Sequence, residues 1–386
     1  MRILTFLLFF GLATPACTSS GDEAGTPSNT EDTSASDTIA ETDAGPDEDD
    51  VSVVLPDLGE GWTQVAPGGD TICSRGTEYF FMVRKGSVNK IVIDFMGGGA
   101  CWNDTTCSFA DAIFNENLDA FDGMEGDVDL PGIYDRTEEA NPFKDWYHIF
   151  IPYCTGDIHW GNSEVDYGDA AGVIHHKGAV NAQSVMDWIS ENFSAPEKIF
   201  VTGCSAGAYG AIGWAPRIIE QFPKSKVYQM GDSGVGVITD SFFQDSFPQW
   251  NAWEILPTWI ESLDLEEEEL YKLTLNDLYI RIANHYPDYL FSQFTTAFDK
   301  TQVFYYQAMG GGTEEEWASK MQSGLAQTRE GAPNFRSFIA QGNQHCIVPY
   351  QEFFTKETQG MSVNDWVADM VDEMDVGNID CGDDCQ

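Results

Sequence analysis

Short apolar runs alternate with stretches of helical periodicity along the body of this 386-residue chain. Runs at Lys90 to Phe95, Trp146 to Pro152, Glu197 to Thr202, Lys226 to Met230 and Phe335 to Ala340 predict strands. Between them, Lys177 to Phe193 and Ala206 to Gln221 repeat apolar residues at helical spacing. A helical stretch is predicted from about Trp250 to Met309, and a terminal helical region includes Val363 to Met374. This alternation implies an α/β fold with a mainly parallel central sheet, helices on both faces and a helical insertion after Ser205. The length suits one such domain over residues 51–386.

The first 50 residues read differently. Residues 1–17 pair a charged start with the apolar run Ile3 to Leu12 and a small-residue end, the pattern of an export signal too short to span a membrane. Cys17 suits a bacterial lipoprotein site, where it would be lipidated and form the only membrane attachment. Thr14 stands where such sites carry leucine, so cleavage after Ala16 and secretion is the alternative. Residues 18–50 hold eleven acidic side chains, no Lys or Arg and one large apolar residue, Ile39, a composition that cannot offset its ordering entropy and reads as a disordered tether.

Charge narrows the partners. The net charge is −44, and 52 of the 63 acidic residues lie beyond the tether, which argues against nucleic acid and against attraction to anionic lipid. Eight cysteines besides Cys17 form an even set in an exported chain and predict disulfides. Cys381 and Cys385 are close enough to pair locally, as are Cys101 and Cys107, whereas the partners of Cys73, Cys154, Cys204 and Cys346 stay open. No C-x-x-C pair recurs, the six histidines lack zinc spacing, and no calcium-loop pattern occurs, so no metal or other cofactor is expected.

The chemistry centres on Gly203-Cys204-Ser205-Ala206-Gly207, a G-x-S-x-G turn between a predicted strand and a predicted helix. Such an elbow holds a serine hydroxyl clear of the sheet, and glycines belong where a side chain would strike the neighbouring backbone. A serine nucleophile needs a base, an acid to orient it and donors for the oxyanion. The strand Lys90 to Phe95 runs into Met96-Gly97-Gly98-Gly99-Ala100, so backbone N–H groups of Gly99 and Ala100, with Ala206, are the candidate oxyanion donors. Two histidines follow Ser205; His345, after a late strand, is preferred as base over His285 in a helical region. For the acid, Asp232 at a strand end and Asp299 near the helical stretch both qualify. His159, His175 and His176 precede Ser205 and are read as structural or surface residues.

The chain resembles the pectin acetylesterases and their animal relative Notum. The resemblance rests on Gly97-Gly98-Gly99-Ala100-Cys101-Trp102-Asn103 with Cys107, Pro152-Tyr153-Cys154-Thr155-Gly156-Asp157, the elbow, Phe298-Asp299-x-x-Gln302 and His345-Cys346, in family order over about Cys73 to Trp366. It implies an α/β-hydrolase-like fold with Ser205 as nucleophile, Asp299 as acid, His345 as base, oxyanion donors at Gly99, Ala100 and Ala206 and a Cys101–Cys107 disulfide; Asp232 stays the runner-up acid from its place at a strand end. It also implies cleavage of carboxylic esters, above all O-acetyl groups on an extracellular polysaccharide such as pectin, without a cofactor. Ala100 departs from the tryptophan common there, and Ala208 from a glycine. Long-chain deacylation on the same scaffold is the enzymatic alternative, and a surface-anchored carbohydrate-binding lipoprotein with a silent triad the non-enzymatic one. Trp102, Tyr153, Trp160 and Tyr209 are candidate pocket walls that can equally be packing.

Overall fold

Nine strands form the central sheet: β1 (Trp62–Val65), β2 (Phe81–Arg84), β3 (Lys90–Phe95), β4 (Tyr147–Ile151), β5 (Lys198–Cys204), β6 (Lys226–Asp232), β7 (Leu290–Thr296), β8 (Phe335–Ala340) and β9 (Ile379–Asp380). The computed structural model describes residues 55–382 and 385, apart from 111, 122 and 127. The expected export signal at residues 1–17 with Cys17, and the acidic tether at 18–50, lie outside the described residues. No helix among the described residues is long and apolar enough to cross a membrane.

The spatial order is β1-β2-β4-β3-β5-β6-β7-β8-β9. The β1–β2 and β2–β4 pairs are antiparallel, and every pair from β4 to β9 is parallel. In β5, Ile199 to Gly203 are buried in succession because helices cover both faces of the sheet, which explains an apolar run instead of alternation. The main helices are α1 (Gly178–Asn192), α2 (Ala206–Gln221), α3 (Leu275–His285), α4 (Lys300–Ala308), α5 (Glu314–Gly331) and α6 (Val363–Val371). The fold is the mainly parallel α/β arrangement expected from the alternation.

The helical stretch from Trp250 to Met309 needs correction, since β7 lies inside it between α3 and α4. Its sequence, Leu-Phe-Ser-Gln-Phe-Thr-Thr, is half polar, yet Phe291 to Thr296 are all buried: Ser292 Oγ donates to the Gln229 carbonyl (2.8 Å) and Thr296 Oγ1 to the Gln344 carbonyl (2.8 Å). Polar atoms satisfied only by tertiary partners hide a central strand from hydropathy. The terminal helix stops at Val371, three residues short of expectation, and β6 runs on to Asp232. The edge strands β1 and β9 and the neighbouring β2, of four, two and four residues, are too short to register as runs.

Among the described residues four disulfides are formed: Cys73–Cys154, Cys101–Cys107, Cys204–Cys346 and Cys381–Cys385. The parallel strands end at one edge of the sheet, where Phe95 registers with Gly203, Cys204 with Asp232 and Thr296 with Ala340. Ligands of open α/β sheets bind at this carboxyl edge.

Phe294, fully buried in β7 with its ring 5.7 Å from that of Phe338, reports on the strand. Phe294→Ala should cost about 3–5 kcal/mol in urea unfolding; an unchanged midpoint would remove Leu290–Thr296 from the core.

Candidate active site

Ser205 sits between β5 and α2 with φ 57° and ψ −119°, a left-handed conformation costly for a residue with a side chain. The neighbours make the turn possible by having none. A Cβ on Gly207 would overlap the Phe95 carbonyl, and one on Gly203 would lie 2.6 Å from that same oxygen. The Ser205 N–H donates to the Asp232 carbonyl at 2.8 Å, fixing the turn against the end of β6.

The glycine run after β3 faces the same place. A Cβ on Gly97 would stand 2.5 Å from the Cys204 carbonyl, and Gly99, at φ 74°, leaves no room between the Ile113 carbonyl and the Tyr305 hydroxyl. Buried His159 donates from Nε2 to the Met96 carbonyl (2.8 Å), anchoring the run at its start; burial lowers its pKa to about 4, so the ring is neutral. His159 thus has the structural role expected of it. Ala206 opens α2, and the N–H groups of a first helical turn have no intrahelical acceptor. With the helix dipole, this leaves donors and partial positive charge beside Ser205.

His345 follows β8, and its Nδ1 lies 2.9 and 3.0 Å from the two carboxylate oxygens of Asp299. A carboxylate only accepts, so Nδ1 carries the proton and Nε2 is the basic nitrogen. Asp299 is fully buried and caps α4: its carboxylate accepts from Thr301 N, Gln302 N and Gln302 Nε2, each at 3.0 Å. The other candidate acid, Asp232, points elsewhere, accepting the backbone N–H groups of Ile347 (2.7 Å) and Val348 (2.9 Å). Exposed His285 ends α3, its ring stacked edge-on against Tyr286. Gln302, which had no role in the sequence reading beyond marking a motif, joins Asp299 to Thr295 Oγ1 (3.0 Å) and accepts the Val235 N–H (3.1 Å).

Gly99, Ala100, Ser205, Ala206, Gln302 and His345 line one cavity of about 620 Å³, partly open to solvent, and Asp299 lies behind His345. A family model described as pectinacetylesterase matches residues 64–308. The chain belongs to the pectinacetylesterase family. Pectin acetylesterase 11 of Arabidopsis thaliana is 28% identical over 174 residues, covering 44% of this chain and 43% of that protein. Pectin acetylesterase 4 of the same plant is 25% identical over 159 residues, covering 40% and 38%. The chain thus aligns with less than half the length of these relatives. A solved structure of the Wnt deacylase Notum from Drosophila has the same fold, with a TM-score of 0.63 at 16% identity over 83% of this chain and 96% of that one.

The rest of this pectinacetylesterase-family cavity is mostly apolar: Trp102, Phe242, Phe247, Trp250, Met309 and Trp317 line it beside the polar Tyr209, Ser233 and Tyr305, and among the described residues no Lys or Arg does. Trp102 and Tyr209 are wall residues. Tyr153 is buried, its hydroxyl accepting the Ile158 N–H (2.6 Å), and Trp160 packs behind, donating to the Tyr209 carbonyl (2.8 Å). Among the described residues, the groupings Cys101/Cys107/His176 and Cys204/His345/Cys346 are compact enough for a metal, but their sulfurs are in disulfides and cannot serve as thiolates.

Two buried carboxyls lie beneath the elbow. Burial raises Asp232 to about 6, and burial raises Asp94 of β3 to about 7 against the lowering effect of a hydrogen bond from Tyr134. Between pH 4 and 7 the unfolded chain releases the Asp94 proton while the folded chain retains it, so this group's contribution to stability falls as pH rises. Asp94→Asn should therefore match the wild-type melting temperature at pH 4 and exceed it at pH 8. Calorimetry showing the same difference at both values would refute the buried-acid assignment.

Proposed function

We propose that this protein hydrolyses carboxylic esters through an acyl-enzyme on Ser205, with His345 as base, Asp299 as its orienting acid and the backbone N–H groups of Gly99, Ala100 and Ala206 as the oxyanion hole. The observation that carries the reading is the convergence of Ser205, His345 and the two donor segments on one cavity, with Asp299 behind the imidazole. His345 Nε2 takes the Ser205 proton as Oγ attacks the acyl carbon, and the resulting imidazolium is stabilised by Asp299. The tetrahedral oxyanion is met by N–H dipoles fixed before the reaction begins. Collapse releases the alcohol, which takes the proton from His345, and a water activated by the same nitrogen then frees the acid.

Family membership supports O-acetyl groups on a polysaccharide as the substrate class, pectin being the material named in the relatives. The lack of a cationic wall supports an uncharged acyl group. A second reading, removal of a longer acyl chain, is favoured by the cavity wall, whose tryptophan and phenylalanine side chains offer more apolar surface than a methyl group covers. With Cys17 lipidated, residues 18–50 would hold the enzyme outside the membrane on a tether.

Hydrolysis of p-nitrophenyl esters from two to sixteen carbons tests both readings. Ser205→Ala and His345→Ala should each lower kcat by about 10⁴-fold or more, and Asp299→Asn by a comparable factor, without loss of the folded state. An optimum at the shortest ester supports the acetylesterase and a long-chain optimum the second reading. Undiminished turnover in Ser205→Ala would dismiss the acyl-enzyme.

A further inference from the structure

We propose that Asp232 is a positioning residue that fixes the His345 base relative to the Ser205 nucleophile, acting with Ser233 and the Cys204–Cys346 disulfide. The inference rests on the esterase reading above. Asp299 orients the imidazole, but nothing in that contact sets where the His345 backbone stands relative to the elbow. The next three residues do, and all are held from the ends of β5 and β6. Cys346 N donates to Ser233 Oγ (2.9 Å), while Ile347 N and Val348 N donate to one oxygen, Asp232 Oδ2 (2.7 and 2.9 Å). Cys346 is also bonded to Cys204, so one disulfide joins the residue before the nucleophile to the residue after the base.

Asp232 works on both partners at once, since its backbone carbonyl accepts the Ser205 N–H (2.8 Å) while its side chain holds the base loop. Asp232, Ser233 and Cys346 are all nearly or fully buried. Ser233 and Cys346 have φ of 57° and 62°, left-handed conformations that persist only where the surroundings over-determine them. Leaving two buried N–H groups without an acceptor would let the loop relax, and a displacement of about 1 Å at a proton-transfer pair is worth about 10²-fold in rate.

The test uses p-nitrophenyl acetate and separates kcat from KM. Asp232→Ala should lower kcat by about 10²-fold with KM within about twofold. Asp232→Asn, whose amide oxygen still accepts both N–H groups while its NH₂ donates to Ser233 Oγ, should restore kcat to within about fivefold of wild type. An Asn variant as impaired as Asp299→Asn would make Asp232 a charge partner of the imidazole and overturn the proposal, as would an Ala variant with wild-type kcat. Should Asp232→Ala fail to fold, the Cys204→Ser/Cys346→Ser double variant decides, assayed well below its own melting temperature: a kcat drop of about tenfold or more supports the clamp, and an unchanged kcat overturns it. Absence of turnover in the wild-type enzyme would instead sink the esterase reading on which the clamp rests.

Discussion

Everything at the carboxyl edge of the sheet depends on how closely the elbow approaches β3. Gly203 and Gly207 both face the Phe95 carbonyl, and neither position has room for a Cβ. That contact places Ser205 in its left-handed conformation, sets the start of α2 beside it, and brings the glycine run after Phe95 to the same wall of the cavity. Close backbone packing at one point therefore fixes the serine hydroxyl and all three candidate oxyanion donors together. The turn's cost is offset by the buried sheet on either side, where Ile199 to Gly203 and Val227 to Asp232 are inaccessible to solvent.

Charge is distributed so that it does not disturb this geometry. The interior titrates toward neutrality: burial holds His148, His159 and His176 well below the ordinary histidine value and holds Asp94, Asp157 and Asp232 above the ordinary carboxyl value. Asp299 differs from these acids in its donors, since four N–H groups converge on it, including the imidazole it faces. Those contacts fix the carboxylate in place and turn it toward the imidazole. The chain's net charge of −44 contrasts with a cavity wall that, among the described residues, carries no Lys, Arg, Asp or Glu. A wall of this kind meets whatever it binds through shape and apolar contact.

The two candidate acids show where linear reading stops. Asp232 and Asp299 each sit at the end of a buried strand, and the difference lies in which way each side chain is aimed. Asp299 caps α4 and faces the imidazole, whereas Asp232 turns toward the backbone beyond His345. Hydropathy also placed Asp299 in a helical region, because β7 is rich in Ser, Gln and Thr, with Ser292 and Thr296 satisfied by the Gln229 and Gln344 carbonyls, far away in sequence. A strand whose polarity is satisfied from neighbouring strands has no local signature of being buried.

By itself the sequence determined the alternation of strand and helix, the G-x-S-x-G turn with its flanking glycines, the glycine run after β3 and the local cysteine pairs. These are signals of local origin, set by side-chain periodicity and by positions that exclude a Cβ, so they are legible without neighbours. Tertiary structure alone decided that Leu290–Thr296 is a strand, that Cys204 pairs with Cys346 and Cys73 with Cys154, how the Asp299 carboxylate that the motif singles out meets His345 Nδ1, and that Trp102 and Tyr209 line the cavity while Tyr153 and Trp160 pack behind it. The disulfides among these span 81 and 142 residues, and the Asp299–His345 contact spans 46. Contacts of such separation are fixed by how strands order in the sheet, a property of the packed core that no window of sequence contains.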